Sequence, residues 1–177
     1  MLAFPAFVRF QVYTAALPTD DKLPMDNEND LDEILRHAEQ RAEALGLPYA
    51  GALTPSESWA VWRQTPGAKL VDVRTRAEWD WVGRVPEAIE IEWQTYPGGA
   101  ANHDFLSRLK QLVPEDAIIM FLCRSGVRSH DAACAALTAG YRHVYNILEG
   151  FEGGIDARTG RRGTLGGWRL AGLPWIS

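Results

Sequence analysis

The sequence predicts an α/β protein whose parallel sheet is covered by helices on both faces. Two observations support this fold class: short apolar runs that are typical of buried strands alternate along the chain with segments of helical periodicity, and turn residues separate the two. The length of 177 residues suits one domain with a small appendage, and the apolar fraction of 46% is that of an ordinary globular protein.

The first thirty residues differ from the rest of the chain. Residues 18–32 are acidic and polar and contain two prolines, so residues 1–30 are expected to form a flexible lead-in, within which Met25 is an alternative start. Apolar residues then recur with helical spacing over residues 31–45, and Gly46 ends that helix. We expect a folded domain over residues 31–177, with a core at about 52–155 and a C-terminal extension at 156–177.

The remaining elements follow in order. Thr54-Pro-Ser-Glu57 and Thr75-Arg-Ala-Glu78 each place a glutamate three positions after a threonine, which is the spacing of a capping box and predicts two short helices. The apolar patterns predict strands at residues 69–73, 88–91, 117–122 and 144–147, and further helices at residues 105–113 and 129–139.

The net charge and the spacing of the two cysteines limit the kinds of partner and the cellular compartment that we expect for this protein. The formal net charge is -5, so the chain lacks the basic surface that nucleic acids and anionic membranes require, and any bound anion must be held by local cations. The two cysteines lie eleven positions apart in a loop and a helix, which is a poor framework for a disulfide. Neither a secretory signal nor a membrane span is evident, and a cytoplasmic location is expected.

Cys123 lies between an apolar strand and a predicted helix, where open α/β sheets place their ligands. The turn continues with Arg124, Ser125, Gly126, Val127 and Arg128. Backbone N–H groups of such a turn, the helix N-terminus and two permanent cations together form an anion site and favour a thiolate over a thiol. We therefore expect Cys123 to be largely thiolate at neutral pH and to act as a nucleophile.

This loop, Cys123-Arg-Ser-Gly-Val-Arg-Ser129, resembles the active-site loop of rhodanese-family sulfurtransferases. Four further segments are similar to segments of that family, at residues 70–74, 83–88, 146–151 and 167–174. The resemblance implies a five-stranded parallel sheet and a sulfur shuttle through a persulfide on Cys123. It further implies that residues 124–128 bind a small sulfur-containing anion, that a thiol or a protein accepts the sulfur, and that no metal or organic cofactor is needed. Arg84 and Glu87 depart from the family, which usually has histidine and glycine there.

Other residues are assigned with alternatives. Asp72 and Arg74 are expected to form a structural ion pair or to orient the active loop, and Ser129 is a supporting residue at the start of the active helix. His130 is a structural residue or a neutral proton shuttle. Cys134 lies on the same helix, and its side chain is expected to serve in packing. The arginines of the C-terminal loop are solvated or guide an acidic partner; they are Arg158, Arg161 and Arg162.

Three other functions are compatible with a cysteine in such a loop. Cysteine phosphatases need five residues between cysteine and arginine, whereas four lie between Cys123 and Arg128. Mercaptopyruvate sulfurtransferases have a largely neutral loop, and the two arginines here suit a more highly charged donor, such as thiosulfate. A persulfide carrier that is loaded by a partner protein stays open.

Overall fold

Five parallel strands form one sheet, in the order β1-β5-β4-β2-β3. The structure is a computed structural model that describes residues 28–177, so most of the predicted lead-in, with Met25, lies outside the described residues. The strands are β1 Gly51–Leu53, β2 Lys69–Asp72, β3 Ile89–Glu90, β4 Ile119–Leu122 and β5 Val144–Ile147. The helices are α1 Glu28–Ala44, α2 Pro55–Gln64, α3 Arg76–Val82, α4 Phe105–Leu112 and α5 Val127–Thr138. No described helix is long and apolar enough to cross a membrane.

Alternate residues of the central strand β4 point into two separate cores. Ile119 and Phe121 belong to the core beneath α4 and α5, whereas Met120 and Leu122 belong to the core beneath α1 and α2. All four side chains are fully buried. A strand that is buried on both faces is uniformly apolar, and this confirms the prediction of a parallel sheet with helices on both faces.

The residue patterns did not predict strand β1. It has three residues, and the first two, Gly51 and Ala52, have little or no side chain, so no apolar run marks it. The strand forms because its backbone pairs in parallel with β5, where Gly51 lies opposite Tyr145. With β1 the sheet reaches the five strands that the family resemblance implied.

The two departures from the family sequence lie between α3 and β3. Glu87 adopts a positive φ of 66°, so this turn does require the conformation that glycine adopts without strain. Arg84 pairs its backbone with Ile176 in an antiparallel bridge, and its guanidinium contacts Asp80 and Glu90. The residue that replaces the family histidine therefore attaches the C-terminal segment to the domain.

Candidate active site

Cys123 is the first residue after β4 and is 1% exposed. Its Sγ accepts hydrogen bonds from the backbone N–H of Gly126 and from the hydroxyl of Ser129, both at 3.2 Å. Helix α5 starts at Val127, two residues earlier than predicted, so the sulfur lies at the N-terminus of this helix. Two hydrogen-bond donors and the helix N-terminus all stabilise negative charge on the sulfur.

Two glycines fix the conformation of the cysteine loop. Gly126 has a φ of 90°, and a Cβ at this position would lie 2.0 Å from the carbonyl oxygen of Leu148. Gly150 has a φ of 62°, and its Cβ would lie 2.5 Å from the carbonyl oxygen of Cys123. Asn146 also donates from Nδ2 to the carbonyl oxygen of Gly126 at 3.1 Å. The turn after β5 therefore packs directly against the cysteine loop, and a side chain at either glycine would force them apart.

A buried ion pair supports this loop from beneath. The guanidinium of Arg74 binds both carboxylate oxygens of Asp72 and donates to the carbonyl oxygen of Gly83. Its Cζ lies 3.8 Å from the ring centroid of Phe151, whose backbone N–H donates to the carbonyl oxygen of Cys123 at 2.7 Å. Both charged side chains are fully buried. The pair is buried in the core and contacts Phe151, which in turn donates a hydrogen bond to the Cys123 backbone; a role in orienting the loop stays a prediction.

The two arginines of the loop each pair with a glutamate. Arg128 makes two hydrogen bonds to Glu78, at 2.7 and 2.6 Å. The Nε of Arg124 lies 3.0 Å from Oε1 of Glu152. Sequence reasoning placed both arginines on the donor anion and assigned Glu78 only to a helix cap. The structure places a carboxylate beside each cation, so each pair contributes little net charge to the site.

Glu78 serves two elements at once. Burial favours its neutral acid, but hydrogen bonds from Arg128 and Thr75 outweigh this effect and lower the pKa of Glu78 to about 2. The bonds from Thr75 complete the capping box at the start of α3. The Glu78 carboxylate is therefore charged at neutral pH and joins α3 to the cysteine loop.

A cleft of about 570 Å³ opens above Cys123. Its outer wall contains Trp81 and Tyr96, whose rings meet edge to face at 6.0 Å and are 76% and 61% exposed. Arg162 enters the lining from the C-terminal loop. The sequence placed Arg162 in one group with Arg158 and Arg161 and offered no assignment that separates it from them. No local pattern distinguishes these residues, because only the folding of distant segments brings them to the cleft.

Other predicted residues lie away from the cleft. The Nδ1 of His130 is 2.9 Å from the hydroxyl of Tyr49, and its Nε2 is 3.8 Å from the Sγ of Cys134. None of these three residues lines the cleft. Trp93 packs against Phe105 at the edge of the core, with ring centroids 4.9 Å apart.

Comparisons with known proteins agree with this geometry. A crystal structure of Rv0390 from M. tuberculosis matches with a TM-score of 0.66 and 45% identity, covering 72% of this chain and 98% of that one. An uncharacterised protein of Rickettsia conorii is 40% identical over 116 residues, covering 61% of this chain and 82% of the relative. Thiosulfate sulfurtransferase GlpE of Haemophilus influenzae is 29% identical over 104 residues, covering 57% of this chain and 84% of the relative.

The model of the rhodanese-like domain family matches residues 57–157, which run from the first capping box through the cysteine loop to the start of the C-terminal segment. This match covers more than half of the chain. Together with the five-stranded parallel sheet, it confirms the resemblance seen in the sequence, and the chain belongs to the rhodanese-like domain family.

Proposed function

We propose that this protein is a sulfurtransferase that moves a sulfane sulfur from thiosulfate or a related donor to a thiol acceptor through a persulfide on Cys123. The observation that carries the proposal is the position of Cys123, which lines a cleft together with three arginines and whose Sγ accepts hydrogen bonds from Gly126 and Ser129. The name of the relative GlpE supports thiosulfate as the donor. Both cysteines are free, which suits the reducing cytoplasm.

The first step loads the enzyme. The Cys123 thiolate attacks the outer sulfur of thiosulfate, a new S–S bond forms, and the electron pair of the old S–S bond leaves with sulfite. The product on the enzyme is a persulfide anion with the same charge as the thiolate. Cations of the cleft bind the doubly charged donor, and the Gly126 N–H and Ser129 hydroxyl stabilise the sulfur anion.

The second step returns the cysteine to its starting state. An acceptor thiolate attacks the outer sulfur of the persulfide, and the Cys123 thiolate is the leaving group. Cyanide can replace the thiol in an assay and leaves as thiocyanate. Each step exchanges one S–S bond for another bond to the transferred sulfur, so neither requires an oxidant or a reductant.

Intact mass spectrometry tests the loading step. After incubation with thiosulfate, the wild-type protein is expected to gain the mass of one sulfur atom and to lose it on addition of cyanide. Cys123→Ser should gain nothing. Cys134→Ser is the matched control and should load like the wild type, because Cys134 lies outside the cleft. The proposal is wrong if the wild type gains no sulfur or if Cys123→Ser still does.

A persulfide carrier loaded by a partner protein is the second candidate. The observation that favours it is the exposed aromatic pair Trp81 and Tyr96 at the mouth of the cleft, since exposed aromatic residues are typical of protein interfaces. A carrier should accept sulfur from a cysteine desulfurase much faster than from thiosulfate. Trp81→Ala should then slow loading by the desulfurase much more than loading by thiosulfate.

A further inference from the structure

We infer that Arg162 of the C-terminal loop is a third cation of the donor site and that it selects doubly charged donors over singly charged ones. The inference rests on the proposed function and extends it to the recognition of the donor. Arg162 lies outside the cysteine loop by more than thirty positions of sequence, yet it lines the same cleft as Cys123.

The loop that carries Arg162 is held by hydrogen bonds at both ends. The Nη1 of Arg162 donates to the carbonyl oxygen of Gly153 at 2.6 Å. The backbone N–H of Gly163 donates to the carbonyl oxygen of Glu152 at 2.8 Å, and the N–H of Glu152 donates to the carbonyl oxygen of Arg124 at 2.9 Å. The backbone of Glu152 thus connects this loop to the cysteine loop through two hydrogen bonds. The guanidinium of Arg162 is positioned by the fold and does not merely approach the cleft from solvent.

Arg162 differs from the other two arginines of the cleft in its ion-pair partners. Arg124 and Arg128 are paired with Glu152 and Glu78. Among the described residues, no carboxylate lies within 4.0 Å of the Arg162 guanidinium. Apart from Cys123, the three arginines of the cleft and the two glutamates beside them carry one net positive charge, and Arg162 is the arginine outside those two ion pairs. Burial and the nearby charge of Arg124 lower the pKa of Arg162, while the charges of Glu152 and Cys123 act in the opposite direction, so Arg162 shares one electrostatic environment with the cysteine loop.

The charge of the donor determines how much it gains from Arg162. Coulomb energy is proportional to the product of the two charges, so an anion of charge -2 gains about twice the free energy of an anion of charge -1 at the same place. If the removal of Arg162 lowers kcat/KM for a monoanionic donor by a certain factor, it should lower kcat/KM for a dianionic donor by about the square of that factor. Thiosulfate is a dianion, and methanethiosulfonate is a monoanion that presents the same outer sulfur and leaves as methanesulfinate.

The experiment compares Arg162→Ala with Arg161→Ala for both donors. The side chain of Arg161 is exposed and outside the cleft lining, so this variant is a matched control for the loss of one arginine. Arg162→Ala is expected to lower kcat/KM about tenfold with thiosulfate and about threefold with methanethiosulfonate, chiefly through KM. Arg161→Ala should stay within about twofold for both. Arg162→Lys retains the charge and should keep most of the preference for the dianion, which separates charge from loop structure.

A second readout does not depend on turnover. Sulfate should protect Cys123 from iodoacetamide in the Cys134→Ala background, and Arg162→Ala should need about tenfold more sulfate for the same protection. Equal losses for both donors, or unchanged protection, would overturn the role of Arg162. If the wild type is not loaded by thiosulfate, the proposed function fails on that result alone, while sulfate protection still decides whether Arg162 binds the anion.

Discussion

Replacing Glu78 by glutamine removes one negative charge from the centre of the site and changes the shape of the side chain very little. The glutamine can still accept hydrogen bonds from Thr75 at the start of α3. It cannot neutralise Arg128, whose side chain is only 19% exposed. The variant therefore isolates the ion pair between α3 and the cysteine loop.

The size of the effect follows from the titration of the carboxyl group. Hydrogen bonds from Arg128 and Thr75 outweigh the cost of burial and lower the pKa of Glu78 from 4.5 to about 2. At roughly 1.4 kcal/mol for each pKa unit, this lowering corresponds to about 3 kcal/mol of stabilisation. The side chain is 18% exposed and solvent screens the pair, so we expect Glu78→Gln to lose about 2 kcal/mol of unfolding free energy at pH 7.

The dependence on pH provides the assay. The pKa of Glu78 is lower in the folded chain than in the unfolded chain, so its stabilisation is present above pH 4.5 and is lost as the pH falls towards about 2. Urea unfolding followed by tryptophan fluorescence should show the two proteins converging over this range. A difference between wild type and Glu78→Gln that is the same at every pH would refute the reasoning.

A matched control is available in α2. Glu57 also completes a capping box, with Thr54, and pairs with Arg41, but it does not line the cleft. Glu57→Gln should reduce stability and leave the KM for thiosulfate unchanged. Glu78→Gln should lower this KM, because the cleft gains one net positive charge.

Two further predictions concern the sulfur and the turn before β3. Ser129→Ala removes a hydrogen bond to the Cys123 sulfur. It should lower kcat/KM for thiosulfate about 10- to 100-fold, because hydrogen bonds to charged groups contribute about 1.5–3 kcal/mol. The control Ser107→Ala, on an exposed face of α4, should leave kcat/KM unchanged. Glu87→Gly relieves a positive φ and loses only an exposed ion pair with Arg63. Urea unfolding should therefore show that the free energy of unfolding rises by about 0.5 kcal/mol. A decrease would contradict the strain at this turn.

The parts of the site that the sequence predicted are those that are contiguous along the chain. Cys123, the arginines after it and Gly126 lie within six positions, so their shared turn could be recognised before any folding was considered. The strands that could be predicted are long enough to show an apolar run, as β4 does. Strand β1 shows none because backbone pairing with β5, not side-chain pattern, makes it a strand.

The parts that were missed all depend on pairs that are distant in sequence. Glu78 meets Arg128 across fifty positions, and its capping pattern gave a sufficient local reason for its presence. Arg162 is one of three arginines in a glycine-rich segment, and only the hydrogen bonds of that loop decide which of them faces the cleft. Both residues alter the electrostatics of the site more than its shape, so the sequence predicted the turn that holds Cys123 but not the carboxylates beside its arginines.

Under the proposed function, this smaller net charge suits a sulfur shuttle better than a strongly cationic cleft would. With one net positive charge, the site is neutral when Cys123 is a thiolate, and it is neutral again when Cys123 carries a persulfide, because both sulfur species have a charge of -1. Loading and unloading therefore leave the electrostatic state of the cleft unchanged. A site in which Arg124 and Arg128 lacked their glutamates would bind the persulfide and the departing sulfite more tightly and slow both transfers. Under the proposed function, Glu78 and Glu152 thus keep the sulfur transferable in both directions.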